Sequence, residues 1–410
     1  MAVIHPFQAL RPPAELVEQV ASVPYDVVNT EEARELAGGN PWSFLHVSRP
    51  EIDLPVGTDP YSDSVYEKAS HNFRELVQRC PLKMEPEPSL YVYRLMMGEH
   101  EQIGVVACCA VDEYDNNTIL KHEKTRPDKE DDRTRHILSV SAQTGPVFLT
   151  YRGNQTIDTM VMEVTVTEAI YDFTAPDGVQ HTVWHVPDAV RFVQAFREVP
   201  RLYIADGHHR AASASRARTE MRNKNASGHT GDEEYNFFLA VLFPAEQLQI
   251  LSYNRVVKDL NDLSPEEFLH EVEKRFDVSE GAGPNPESHG CWTMYLKGRW
   301  YGLTRKDDAA GQTDDAVASL DVSILQENLL DPVLGIKDVR TDKRIDFVGG
   351  IRGTSELERL VNEGAAAVAF SLSPTTIAEL LRVSDAGSIM PPKSTWFEPK
   401  LRDALLIHRI

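Results

Sequence analysis

The spacing of apolar residues changes along this chain, and each change marks an element. Between Asp63 and Arg79 the apolar positions are Val65, Ala69, Phe73, Leu76 and Val77, which share one face of a helix. Pro81 ends that helix. The apolar runs 90–97 and 103–111 read as two strands of a hairpin closed by Gly98-Glu99-His100-Glu101. Further strands are predicted over 43–47, 145–151, 161–171, 180–186, 235–243 and 248–253. Helices are predicted over 14–20, from Asn29 onward (a capping residue followed by acids), and over 190–196. Beyond Ser264 the pattern gives a helix over 265–276, a hairpin around Lys297-Gly298, a helix over 320–325, short strands at 345–348 and 366–372, and a helix over 375–382. The alternation is too irregular for a βα barrel and predicts an α+β fold with mixed and antiparallel sheets. A length of 410 residues exceeds one ordinary core. The pattern divides into 1–120, 121–262 and 263–410, the last an additional C-terminal α/β region.

One stretch joins pattern to chemistry. Leu202 to Ala205 is apolar and long enough for one buried strand, Asp206-Gly207 breaks the run, and the Ala- and Arg-rich residues after it favour a helix. His208, His209 and Arg210 then fall in the first helical turn, where free N–H groups and the positive end of the dipole attract an anion. Arg210 adds a fork that matches phosphate oxygens. The reading as an ordinary strand-turn-helix stays beside this one.

Other polar blocks are less specific. Tyr25 and Asp26 place a phenol and a carboxylate on a proline-bounded loop, or form a turn whose Asp caps a helix. Lys129 and Arg133 stand one helical turn apart and share a face if the chain is helical from Asp128, free to hold phosphate or to pair with Glu130 and Asp132. Arg255 is a further anion-binding candidate. His46, His181 and His185 read as structural. The stretch from Met390 to Lys400 carries too much proline for a central strand and offers Lys393, Ser394 and Thr395 on a rigid loop.

The net charge of −21 opposes nucleic acid and anionic membranes, so any anion site must be local. Cys80, Cys108, Cys109 and Cys291 fit no zinc spacing and read as free thiols of a reducing compartment. No apolar run approaches a membrane span, and a cytoplasmic protein is expected.

Asp206-Gly207-His208-His209-Arg210 after a strand resembles the phosphate turn of the ParB/sulfiredoxin-like superfamily, within which free serine kinases carry a very similar motif. Over its whole length the chain resembles an uncharacterised bacterial and archaeal family, domain of unknown function ten-fifteen. The matching blocks are Val23 to Val27, Asn40 to His46, His122 to Thr125, Asp206 to Arg210, and Met390 to Thr395. The resemblance implies a ParB-like core and singles out His122, Glu123, Lys129 and Arg133, with Glu123 or Asp26 as general base. It implies a phosphotransfer enzyme acting on serine or phosphoserine, in either direction, with ATP or ADP and Mg²⁺. The catalytic set would be Glu123, His122, His208, His209 and Asp26. The phosphate set would be Asp206, Gly207, His208, His209, Arg210, Lys129, Arg133, Arg255, Lys393, Ser394 and Thr395. Three polar blocks far apart in sequence each carry more charge than a turn or cap requires, so His122, Glu123, Lys129, Arg133, Asp206, His208, His209, Arg210 and Lys393 are expected to converge on one cleft. No resident metal site, nucleic-acid partner or membrane partner is expected. The alternatives are a non-catalytic nucleotide-binding switch and a metal-dependent hydrolase using His208, His209 and His122. Adjacent histidines on a helix point apart, which works against the hydrolase.

Overall fold

The computed structural model describes residues 2–306 and 314–410. The chain forms two compact units: one comprises residues up to 121, 125–248 and 399–410, the other 122–124 and 249–398. This partition differs from the three sequence segments. The C-terminal twelve residues return to the first unit, and strand pairing over hundreds of residues leaves no mark in local periodicity.

The first unit is built on a nine-stranded mixed sheet. Its strands run in the order Ile119–Leu120, Leu202–Asp206, Val147–Tyr151, Phe237–Pro244, His100–Ala110, Tyr91–Met97, Gln180–His185 and Tyr171–Thr174, with Ile4–His5 also on His100–Ala110. Two junctions are parallel, Leu202 beside Ile119 and Val241 beside Phe148. The others are antiparallel, including the predicted hairpin, where Met97 faces His100. Val105, Leu149, Ile204, Ala240 and Leu242 are buried in its core with Ile157, Met160, Phe192 and Phe196 from two helices. A second sheet of four short strands joins the ends of the chain, pairing Ala9 with His408 and Leu10 with Ile407.

The second unit carries a six-stranded antiparallel sheet in the order Phe276–Glu280, Arg299–Arg305, Cys291–Leu296, Val368–Leu372, Tyr253–Val257 and Ile345–Gly349. A separate two-stranded sheet pairs Gln249–Leu251 with Trp396–Glu398. The α+β class with mixed and antiparallel sheets is therefore the observed one. Among the described residues no helix is long and apolar enough to cross a membrane.

Two elements differ in kind from the sequence reading. The predicted strand at 161–171 is instead the helix Gln155–Thr165, started by Asn154, whose side chain accepts from the N–H groups of Thr156 and Ile157. Ile157, Met160, Val161 and Val164 do recur at helical spacing and are buried. Exposed Met162 and Val166 blurred that spacing into a continuous apolar run. Likewise 43–47 contains the short helix Leu45–Ser48, and His46 pairs with Asp53 at 2.8 Å instead of lying in a strand.

Strand His100–Ala110 packs tightly enough to test. A Cβ on Gly104 would lie 2.7 Å from the Leu242 carbonyl oxygen and 2.7 Å from the Phe243 ring, and the backbone oxygen cannot move aside. Gly104→Ala should destabilise the protein by about 1–3 kcal/mol, read as a lower urea midpoint at unchanged slope.

Candidate functional site

Strand Leu202–Asp206 is buried up to Ala205 and delivers Asp206 to its end. Gly207 then turns the chain at φ 93°, ψ 30°, and the helix His208–Lys224 begins. Two constraints fix the glycine: the left-handed angle, which costs a glycine little, and the space above it. A Cβ there would stand 3.0 Å from Arg210 Nε and 3.1 Å from its Cζ.

Arg210 therefore folds back across the turn. Its side chain is only 10% exposed, donates to the Pro146 carbonyl, and lies 3.7 Å from Asp206 and 3.8 Å from Asp26. Burial works against its charge, but Asp26, Asp206 and Asp403 outweigh burial and raise its pKa. Asp206 is also desolvated, yet its pKa is held well below the usual carboxylate range. Lys400 Nζ at 2.9 Å, Arg210, and the Gly207 N–H at 2.7 Å all favour its charged form. Asp403 goes the other way. Burial pushes it up to about 7 against the pull of Arg210, with Asp26 adding to the rise. A Cβ on Gly145 would collide with the Asp403 carboxylate, so that glycine makes room for the acid.

The chain is helical over Pro127–Val140, so Lys129 and Arg133 stand one turn apart on one helix. Arg133 stacks 4.1 Å from the Tyr25 ring centre and pairs with Asp132 at 2.9 Å. Asp132 also accepts from Tyr66 Oη at 2.8 Å. Lys129 donates to Tyr61 Oη at 2.8 Å. Neither cation pairs with Glu130, which holds Thr125 and Arg216. Tyr25 and Arg133 line two adjoining spaces. A small chamber of about 40 Å³ also touches Gly145, Arg210 and Asp403. A larger pocket of about 190 Å³ also touches Arg49, Glu51, Tyr61 and Lys129.

The histidines are not presented as a metal pair. His208 is buried, and His209 Nε2 accepts from the Arg126 N–H at 3.1 Å, which requires a neutral ring. Among the described residues no group of three potential metal-binding side chains occurs.

His122, Glu123, Arg255, Lys393, Ser394 and Thr395 belong to the second unit, so the expected single set divides between two units. There the Met390 N–H donates to the His122 carbonyl at 2.8 Å. Arg255 lies within the strand Tyr253–Val257 and does not close it. It is 3% exposed, donates to the carbonyls of Tyr253 and Lys393, and burial lowers its pKa to about 10. Lys393 takes φ 59°, and Ser394 Oγ donates to Pro391, which pins the loop.

The sequence reading missed Gly145, Tyr66, Lys400 and Asp403. The signal for the last two was a charged group, Lys400, Arg402 and Asp403, set inside the apolar tail 399–407. It also treated Arg210 as a ligand group removable without harm to the fold. Its burial between Asp26 and Asp206 gives it a structural part as well: losing it removes one cation from beside Asp206, which keeps Lys400, and from beside Asp403, which keeps Arg133 and Arg402.

A sequence profile of a family described as "Protein of unknown function (DUF1015)" matches residues 4–323. No protein of curated function matches the chain. Among solved structures, a conserved hypothetical protein from Pyrococcus furiosus is similar at 12% identity and TM-score 0.35, over 74% of this chain and 95% of that one. A free serine kinase in complex with AMP is similar at 11% identity and TM-score 0.35, over 74% and 92%. C-terminally truncated SbnI from Staphylococcus aureus is similar at 13% identity and TM-score 0.38, over 74% and 87%. Likeness this loose carries no residue roles across.

Asp403 gives the site a pH signature. Its folded pKa exceeds the ordinary 3.8, so its contribution to stability is full below that value and is lost as pH rises through about 7. Asp206, with its depressed pKa, contributes above the ordinary value and loses that contribution only in acid. Between pH 4.5 and 7.5, therefore, Asp403 dominates. The parent should lose about 3 kcal/mol relative to Asp403→Asn over that range, measured from paired urea titrations.

Proposed function

The chain belongs to the family described as protein of unknown function DUF1015, and from that premise we propose a phosphotransfer enzyme acting on serine or phosphoserine with ATP or ADP. The observation that carries the reading is the polar cluster of the first unit. Asp26, Arg133, Asp206, Arg210, Lys400 and Asp403 meet beside a helix start and a polar pocket. Phosphoryl transfer depends on positioning and on stabilising charge, with little covalent work for the protein.

In this reading the backbone N–H groups at the start of His208–Lys224 receive the phosphate, and Arg210 fixes the turn that aims them. Arg133 faces the neighbouring pocket and offsets charge developing on the phosphoryl oxygens. Asp26 is the general base. Its side chain is 37% exposed, and its contact with Arg210 is a loose 3.8 Å, which leaves carboxylate oxygen available to a substrate hydroxyl. Mg²⁺ would come with the nucleotide, held mainly by phosphate oxygens and water. The metal would neutralise phosphate charge. Glu123 and His122 have no step in this reading, which draws on the first unit alone.

The test is a coupled pair of assays on the full chain. One measures transfer of phosphate from ATP or ADP to L-serine with Mg²⁺, and the other measures loss of phosphate from O-phospho-L-serine. Asp26→Asn should lower turnover at least a hundredfold while nucleotide affinity stays within about twofold. Absence of both activities in the parent overturns the proposal.

A further inference from the structure

The larger pocket of the first unit has a charge pattern that the phosphate site does not use. Two of its cations are already paired, Arg49 with Glu51 at 3.0 Å and Arg133 with Asp132 at 2.9 Å. Its third cation, Lys129, is anchored by Tyr61 Oη at 2.8 Å and has no carboxylate partner among the described residues. The pocket therefore offers one ammonium in no close ion pair at one wall and buried carboxylates, Glu51 at 7% and Asp132 at 6% exposure, elsewhere. An ammonium outside any ion pair, and carboxylates that keep acceptor sites beyond the one arginine each pairs with, complement a ligand that carries both charges itself. At about 190 Å³ the pocket has room for a small amino acid.

We infer that this pocket binds a free zwitterionic α-amino acid, with its carboxylate on Lys129 and Tyr61 and its ammonium against Glu51. The inference rests on the phosphotransfer reading only for the identity of the side chain. That side chain would face Tyr25 and Arg133, the wall shared with the chamber at Arg210. Both ligand ends are recognised by charge, so neither a peptide nor an esterified amino acid would fit as well. The paired Arg49 holds the Glu51 carboxylate in place. Lys129 Nζ lies 5.3 Å from the Tyr61 ring centre, and that contact with the hydrogen bond to Tyr61 Oη holds the ammonium at the pocket wall.

The test is calorimetric titration of the full-length chain with L-serine, L-threonine, L-alanine, L-serine methyl ester and N-acetyl-L-serine. The parent should bind at least one free amino acid, and the ester and the N-acetyl compound at least tenfold more weakly than L-serine. Lys129→Met should weaken the free amino acid at least tenfold and abolish discrimination against the ester. Glu51→Gln should abolish discrimination against N-acetyl-L-serine, with melting temperatures confirming that both variants fold. The inference is overturned if the parent binds none of the free amino acids, or if folded Lys129→Met binds them within twofold of the parent. Failure of the phosphotransfer reading looks different: amino-acid binding would depend on Lys129, yet serine would neither gain nor lose phosphate.

Discussion

A guanidinium turned inward holds this site together. Arg210 begins a helix but lies across its own Gly207 turn, against the Pro146 carbonyl and between Asp26 and Asp206. Enclosing a charge this far is tolerable only when partners surround it. Arg210 depends on its acids, while Asp206 shares its own charge between Arg210 and Lys400. The two close approaches, Arg210 over Gly207 and Asp403 against Gly145, work because neither glycine carries a Cβ. Geometry and charge are fixed by the same few atoms.

This explains how a chain of net charge −21 can present cations to a small anion. Most surface charge is screened within about 10 Å, and fields from distant acids fade over that distance. What matters locally is the order of pairing. Lys400 and Arg210 are taken up by Asp206, Arg133 is taken up by Asp132 and braced by the Tyr25 ring, and Lys129 leans on a phenol. Cations with different degrees of commitment lie within one region.

Much of this was legible in the sequence. The strand, turn and helix around Asp206-Gly207 were readable because apolar run, glycine and helix formers come in immediate succession. The shared face of Lys129 and Arg133 followed from helical spacing. What lay out of reach was long-range closure. Lys400 and Asp403 stand nearly two hundred residues from the motif they complete, and no local period links them. The helix Gln155–Thr165 was misread for a different reason: apolar residues on its exposed side hid the helical spacing of the buried ones. Arg210 was placed at the right turn, but the direction of its side chain depends on the glycine beneath it.

The pairing of Gln249 with Glu398 has a consequence for how such a chain can be assembled. The first unit is interrupted between Leu248 and Pro399, and residues 399–410 are synthesised after the whole of that interruption. Closing a flexible loop of about 150 residues costs roughly 2.5 kcal/mol more than closing one of ten, from chain entropy alone. Once the inserted segment has folded, its first and last residues are already register partners. The excursion then counts as a short neck, and the entropic debt is settled before the tail arrives to supply Lys400 and Asp403.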